Sequence, residues 1–267
     1  MKILICGKGG SGKSVIATML AKALMRKGYK ILVVDSDESN FGLHRQLGMR
    51  LPEDFTHKLG GKWGVAQKLM KAMVPRAKKV FKGEVKFDEV PVEIFENKFG
   101  ISDIPKEYLS EKNGIKLLAV GKIHEFGEGC ACPMGALTKE LLKSLELNRD
   151  EIVIVDTDAG IEHFGRGVEQ GCDLILLIVD PTYESVRLAE KVNTLSEEIG
   201  KPLNIILNKV SDNTTKETLL KSLDAEKVIA VLPENEEVFR ACLEGNELNV
   251  QLPEIEELAD KITRKLG

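Results

Sequence analysis

The sequence predicts an α/β protein: a mostly parallel sheet with helices on both faces, in three layers. Three observations predict it. Apolar, β-branched-rich runs recur at residues 2–6, 30–35, 116–120, 152–156, 174–179, 203–207 and 228–232, without the polar alternation of a half-exposed strand, as expected of strands buried on both sides. Segments between them carry apolar residues at helical spacing, as in Ile16, Met19, Leu20, Ala23 and Leu24,. The first strand runs directly into Gly7-Lys8-Gly9-Gly10-Ser11-Gly12-Lys13-Ser14 and then into a helix, so the chain begins with a strand, a glycine-rich turn and a helix.

That context turns the glycine-rich run into a phosphate-binding P-loop and narrows the fold to the P-loop NTPase type. The backbone N–H groups of Gly9, Gly10, Ser11 and Gly12 can turn inward on an oxyanion, and the helix N-terminus adds its partial positive charge. Lys13 would reach the β- and γ-phosphates, and the Ser14 hydroxyl would ligate Mg²⁺. A second lysine, Lys8, gives the pattern K-G-G-x-G-K-S. This resembles the deviant P-loop of the ATPases that include nitrogenase iron protein, the MinD and ParA types and the tail-anchored-protein targeting ATPase. The resemblance implies that Lys8 crosses a dimer interface to the nucleotide of the other subunit.

A chain of 267 residues is long enough for one large α/β domain, here taken as 1–267. Its net charge of −4 argues against nucleic acid as the main partner. No apolar run approaches the about 20 residues that span a bilayer, and the first strand is broken by the P-loop, unlike a signal-peptide core. Neither a membrane nor a nucleic-acid partner is therefore expected, and the expected compartment is the cytoplasm. Five cysteines at irregular spacing do not form a disulfide framework.

The run 30–35 reads as the second strand, after Gly28 stops the first helix. It leads into the acidic tip Asp35-Ser36-Asp37-Glu38-Ser39-Asn40, on the edge where ligands of parallel sheets bind. By the resemblance this is the first switch segment: Asp37 orients or deprotonates the attacking water and belongs to the Mg²⁺ site. A plain Asx turn is the competing reading. From about 41 to 113 the alternation stops, and Pro52, Pro75, Pro91, Pro105 and Gly60-Gly61 punctuate an insertion of short helices and irregular segments. Within it Lys58, Lys62, Lys68, Lys71, Arg76, Lys78, Lys79, Lys82 and Lys86 face a single acid, Glu84. Val65, Leu69 and Met73 fall four apart, the pattern of a basic amphipathic helix. That helix presents either a solvated face or a docking surface for an acidic client.

After the strand at 116–120 comes G-K-I-H-E-F-G-E-G-C-A-C-P-M-G, residues 121–135. Pro133 is placed to open a helix through Leu137, Leu141, Leu142 and Leu145. Cys130 and Cys132 would then sit just before a helix N-terminus, where thiolates are favoured, and thiolates suit zinc, nickel, Cu(I) or iron–sulfur clusters. Two thiolates leave a four-coordinate site half filled. A twofold dimer would supply the other two; structural cysteines or a redox pair remain open.

The run 152–156 ends in Asp156 and continues as Thr157-Asp158-Ala159-Gly160, a Walker B strand and second switch in which Asp156 holds the Mg²⁺ shell through water. Gly160 suits a close approach to the γ-phosphate. His163 is read as a packed or solvated histidine rather than a ligand, and Arg166 as a surface charge. The strand at 203–207 ends in Asn208-Lys209, where an amide can meet both N6 and N7 of adenine. Ser211 stands where a guanine reader carries aspartate, so adenine is favoured.

Gly127 to Gly135, the run Asp158-Ala159-Gly160-Ile161-Glu162-His163 and Leu243-Glu244-Gly245-Asn246 together resemble the CooC-type accessory ATPases over essentially the whole chain. The resemblance implies a cytoplasmic homodimer that binds nickel or zinc at C-x-C and couples ATP hydrolysis to metal insertion into carbon monoxide dehydrogenase. It implies ATP/ADP and Mg²⁺ as cofactors, and it extends the nucleotide site to Val15, Lys209, Leu232 and Pro233. The alternatives are an iron-protein-like reductase or cluster carrier with a bridging iron–sulfur cluster, and a positioning or partition ATPase.

Overall fold

The computed structural model describes residues 1–84, 94–124 and 132–265. Every apolar run singled out in the sequence is a strand: β1 (Lys2–Gly7), β2 (Lys30–Asp35), β4 (Ile115–Ala119), β5 (Glu151–Asp156), β6 (Leu174–Val179), β7 (Leu203–Val210) and β8 (Val228–Pro233). With β3 (Ser110–Lys112) they form one eight-stranded sheet ordered β3-β4-β2-β5-β1-β6-β7-β8. All neighbours are parallel except β3, which pairs antiparallel with β4. The sequence reading did not foresee β3, whose Ser-Glu-Lys run has no apolar signal. Its mark is Asn113-Gly114, both at positive φ (51° and 81°), the two-residue turn that joins tightly twisted antiparallel strands.

Helices cover both faces: α1 (Lys13–Arg26), α2 (Leu43–Gln46), α3 (Gly61–Met73), α4 (Ala77–Phe81), α5 (Cys132–Ser144), α6 (Glu162–Arg166), α7 (Tyr183–Glu198), α8 (Asn213–Ser222), α9 (Glu236–Glu244) and α10 (Pro253–Thr263). Alternate strand residues divide between two cores. Ile3, Ile5, Ile31 and Val33 pack with α1 and α10 on one face. Leu4, Leu32, Val34 and Val153 pack with Leu137, Leu141 and Val192 of α5 and α7 on the other. Burial on both sides is why these strands carry no polar alternation.

The insertion contains α2, α3, α4 and β3 joined by short 3₁₀ turns. Within α3 Val65 is fully buried and Leu69 packs on the core, so these two positions of the spacing face inward; the Met73 side chain lies outside the described residues. Its apolar stripe rests against α5. The described part of helix α5 starts at Cys132, so Pro133 already lies within it. Cys130 lies outside the described residues. Cys6, Cys172 and Cys242 are free thiols, and burial pushes Cys6 and Cys172 well above the ordinary thiol range. No described helix is long and apolar enough to cross a membrane.

Candidate nucleotide site and its switch segments

The parallel strands end together at one edge, and there a cleft of about 1000 Å³ opens, lined by Gly9, Gly10, Gly12, Lys13, Ser14, Val15, Asp37, Asn208, Lys209, Leu232 and Pro233 among others. These are the residues expected at the nucleotide, brought together from four separate parts of the chain. Gly12 caps α1 at φ 101°, and a Cβ there would lie 2.3 Å from Asn208 Nδ2. Only glycine fits both the left-handed backbone and the approach of the asparagine. Lys13, 7% exposed, donates from Nζ to the carbonyls of Gly7 and Lys8 at 3.3 Å, which holds its charge at the loop.

Ser14 and Asp156 meet at the floor of the site. Ser14 Oγ donates to Asp156 Oδ2 at 2.6 Å, and Asn40 Nδ2 donates to the same hydroxyl at 2.7 Å. Asp156 Oδ1 is buried without a hydrogen-bond partner. Burial pushes the Asp156 carboxyl up to about 7, the neighbouring Asp35 carboxylate adds to this, and the Ser14 hydrogen bond and Lys13 charge oppose it. A buried, orphaned carboxylate oxygen beside a serine hydroxyl fits a divalent cation, which would satisfy the atom and favour the charged form. Ser14 and Asp156 would hold Mg²⁺ there, and the ion would neutralise charge on the transferred phosphoryl group. Asn40, which the sequence reading left without a role, orients the hydroxyl.

Asp37 forms the Asx turn and also lies on the wall of the cleft. Its Oδ1 accepts from the N–H and hydroxyl of Ser39 at 2.9 and 2.7 Å to make that turn,. Asn208 Nδ2 donates to the Ser11 carbonyl at 2.7 Å. One of the two amide hydrogens is thereby used within the chain, and the second N–H and the carbonyl oxygen are left for a ligand. Lys209, held at φ 59°, reaches back to the Gly10 carbonyl at 2.8 Å.

Lys8 lies over its own chain. Its Nζ donates to Thr182 Oγ1 at 3.1 Å and lies 3.5 Å from Asp180 Oδ2. Burial pushes the Asp180 carboxyl up, but hydrogen bonds from Ser185 and Thr182 and the charge of Lys8 outweigh it and hold it below the usual range. Neither Asp180 nor Thr182 was picked out in the sequence, where Asp180-Pro181 reads only as a turn.

The largest omission is Lys122. Its side chain is fully buried and its Nζ donates to Asp35 Oδ2 at 2.7 Å and to the Asp37 and Asn40 carbonyls at 2.5 Å each. Its backbone N–H donates to Asp54 Oδ2 at 2.9 Å, and the next residue, Ile123, donates from its N–H to the Glu38 carbonyl. Burial pushes Asp35 up to about 6 against the pull of Lys122. The first switch segment is thus clamped from behind by the stretch that leads into C-x-C. No sequence signal marks this, since a lysine in a glycine-flanked loop reads as solvated.

The second switch touches α5. Arg166 donates to Asp158 Oδ2 at 3.1 Å, and a Cβ on Gly135 would lie 2.3 Å from Arg166 Cδ. Arg166 is thus partly buried, paired with Asp158 and packed against α5, which is more than a bare surface charge. His163 is 2% exposed and its Nδ1 lies 2.5 Å from Glu169 Oε1, consistent with a packed histidine. Gly160, at φ 93°, donates its N–H to the Gly7 carbonyl, so the second switch sits against the P-loop. Ser36 Oγ and Thr138 Oγ1 lie 3.1 Å apart, tying α5 to the first switch as well. No group of three or more His, Cys, Asp or Glu side chains able to hold a metal occurs among the described residues.

A model of the CobQ/CobB/MinD/ParA nucleotide binding domain matches residues 2–248. An uncharacterized ATP-binding protein of Methanocaldococcus jannaschii is 53% identical over 264 residues, 99% of this chain and all of that protein. The carbon monoxide dehydrogenase accessory protein CooC of Rhodospirillum rubrum is 30% identical over 236 residues, covering 87% of this chain and 83% of that protein. Among solved structures, the septum site-determining protein MinD of Pyrococcus horikoshii, complexed with Mg-ADP, superposes with a TM-score of 0.69 at 17% identity, covering 100% of this chain and 97% of that one. The last is a likeness of fold.

Proposed function

The chain belongs to the CobQ/CobB/MinD/ParA nucleotide-binding family and is a P-loop ATPase; from that premise we propose that it is a dimeric accessory ATPase of the CooC type. It would carry nickel or zinc between two C-x-C pairs and deliver the metal to carbon monoxide dehydrogenase as ATP is hydrolysed. The identity with the Rhodospirillum rubrum protein supports the client, and G-E-G-C-A-C-P supplies the ligand type. The observation that carries the reading is the double attachment of the C-x-C region. The stretch before it is bonded to the first switch through Lys122 and Ile123, and the helix after it touches both switches through Thr138 and Gly135. A shift of either switch on phosphate loss would act on the thiolate pair from both sides.

In this mechanism Lys13 and the P-loop amides hold the phosphates, Ser14 and Asp156 the Mg²⁺, and Asp37 the attacking water. Lys8 leaves Asp180 and Thr182 and contacts the phosphates of the second copy. Its ion pair with Asp180 is only partly buried, 32% and 10% exposed, and a pair of that kind is worth about 1 kcal/mol or less, so a nucleotide polyphosphate outcompetes it. Lys8→Ala is expected to bind nucleotide through its own Lys13 and to lose the nucleotide-driven dimer. Sedimentation with a non-hydrolysable ATP analogue checks this, and an unaffected dimer would leave Lys8 a role within its own chain only.

Metal and ATP would both favour the closed dimer, so each should tighten binding of the other. Cys130→Ala or Cys132→Ala is expected to abolish metal-induced dimerisation with nucleotide binding intact. Nickel and zinc titrations read against native mass should give one ion per two chains, bound by four sulfurs in X-ray absorption. One ion per chain would rule out the shared site. A brown iron–sulfur chromophore would point to the reductase alternative, and no bound metal to a positioning ATPase.

A further inference from the structure

The insertion carries a face that ATP hydrolysis and the C-x-C region leave unused. Trp63, Met70, Val74 and Phe81 are 79, 62, 69 and 91% exposed. Spacings of seven and four residues place Trp63, Met70 and Val74 on one side of α3 and its C-cap, and Phe81 ends α4 after the 3₁₀ turn at 74–76,. The opposite side is anchored, with Val65 fully buried and Leu69 packed on the core. Beside the apolar line stand the exposed Lys71, Lys78, Lys79 and Lys82. From 61 to 84 no acid precedes Glu84, and apart from the Trp63 indole the only uncharged polar side chain is Gln67.

Four large apolar side chains exposed within twenty residues of one helical segment are unusual on a protein with no partner for them. A second copy of the ridge is disfavoured because its lysines would repel their counterparts. Nucleic acid would meet rings and hydrocarbon at the centre of the contact rather than charge. A folded acidic protein would pair with the lysines, but it would have to cover exposed rings and hydrocarbon on a ridge that offers no pocket for its side chains. A bilayer needs no pocket: rings and methylenes enter the acyl boundary, tryptophan sits at headgroup depth, and ammonium groups on flexible stems reach lipid phosphates. We propose that this ridge docks the protein on an anionic lipid surface. The sequence expectation of no membrane partner rests on the lack of a spanning run and of an apolar face in the C-terminal stretch 262–267, neither of which describes a surface helix in the insertion.

Trp63 is the single tryptophan of the chain, so its emission reports on the ridge alone. The full chain would be mixed with phosphatidylcholine vesicles with and without about one third phosphatidylglycerol. The expected result is co-sedimentation and a blue shift of Trp63 emission with the anionic vesicles only, both weakened by added salt. Replacing Lys78 and Lys79 together by glutamine should lower vesicle affinity about thirtyfold, and Phe81→Ser should weaken it in the same assay. ATP hydrolysis by these variants in solution should match wild type, which separates loss of docking from loss of fold. Absence of co-sedimentation, equal binding to neutral vesicles, or binding without a Trp63 shift would overturn the proposal. So would a Trp63 shift with polyglutamate and none with vesicles, which would assign the ridge to an acidic protein.

Discussion

Lys13→Ala is expected to lower kcat/KM for ATP by roughly 10²–10³-fold, the loss that follows removal of a single preorganised donor at a reacting oxyanion. The lysine is nearly buried and its Nζ is held within the P-loop by the Gly7 and Lys8 carbonyls. Little freedom is lost when phosphate oxygens take their place, so most of its charge is available to the transferred group. Binding of ADP should weaken less than binding of ATP, because the P-loop amides that cradle the inner phosphates remain. Asp37→Asn should behave in the opposite way, keeping ATP affinity while hydrolysis slows. Calorimetric affinities beside steady-state rates distinguish the two, and equal rates for wild type and Asp37→Asn would remove that carboxylate from the chemistry.

Lys122→Met is expected to destabilise the protein by about 3–5 kcal/mol, as when one partner of a buried ion pair is removed. For a chain of this length that corresponds to a melting temperature lower by roughly 6–15 °C. Asp35 would be left with a buried carboxyl group that has lost its counter-charge, and the Asp37 and Asn40 carbonyls would lose their donor. The double replacement Lys122→Met with Asp35→Asn should regain much of the loss, since no unpaired charge is left inside. Its hydrolysis should nevertheless stay slow, because the first switch is still unclamped. Thermal unfolding and ATPase rates measured on the single and double variants decide the matter. A double variant as unstable as the single one would show that Lys122 acts through packing rather than through Asp35.

These two lysines also mark how far the sequence reaches. Lys13 was legible because a P-loop is local: strand, glycines, lysine and helix are contiguous, and backbone geometry alone points the residue at phosphate. The parallel sheet was legible for a related reason, since burial on both faces favours apolar residues on both sides of a strand and leaves runs without regular polar alternation. Asp156 and Asn208 followed because each stands at the end of such a run, and the ends of parallel strands share one edge. Lys122 had no such mark. Its partners Asp35, Asp37 and Asn40 lie more than eighty positions away, and a lysine that ends in the core is written like one that ends in water. The same holds for Lys8, whose contacts with Asp180 and Thr182 depend on β1 and β6 being neighbours, and for Arg166, set against Gly135 by the packing of α6 on α5. The sequence by itself determined which chemistry this chain can perform and where along the chain its groups lie. Only the tertiary structure decided what holds them, because those contacts join segments whose separation carries no periodicity and whose cost of burial is met by charges found elsewhere in the fold.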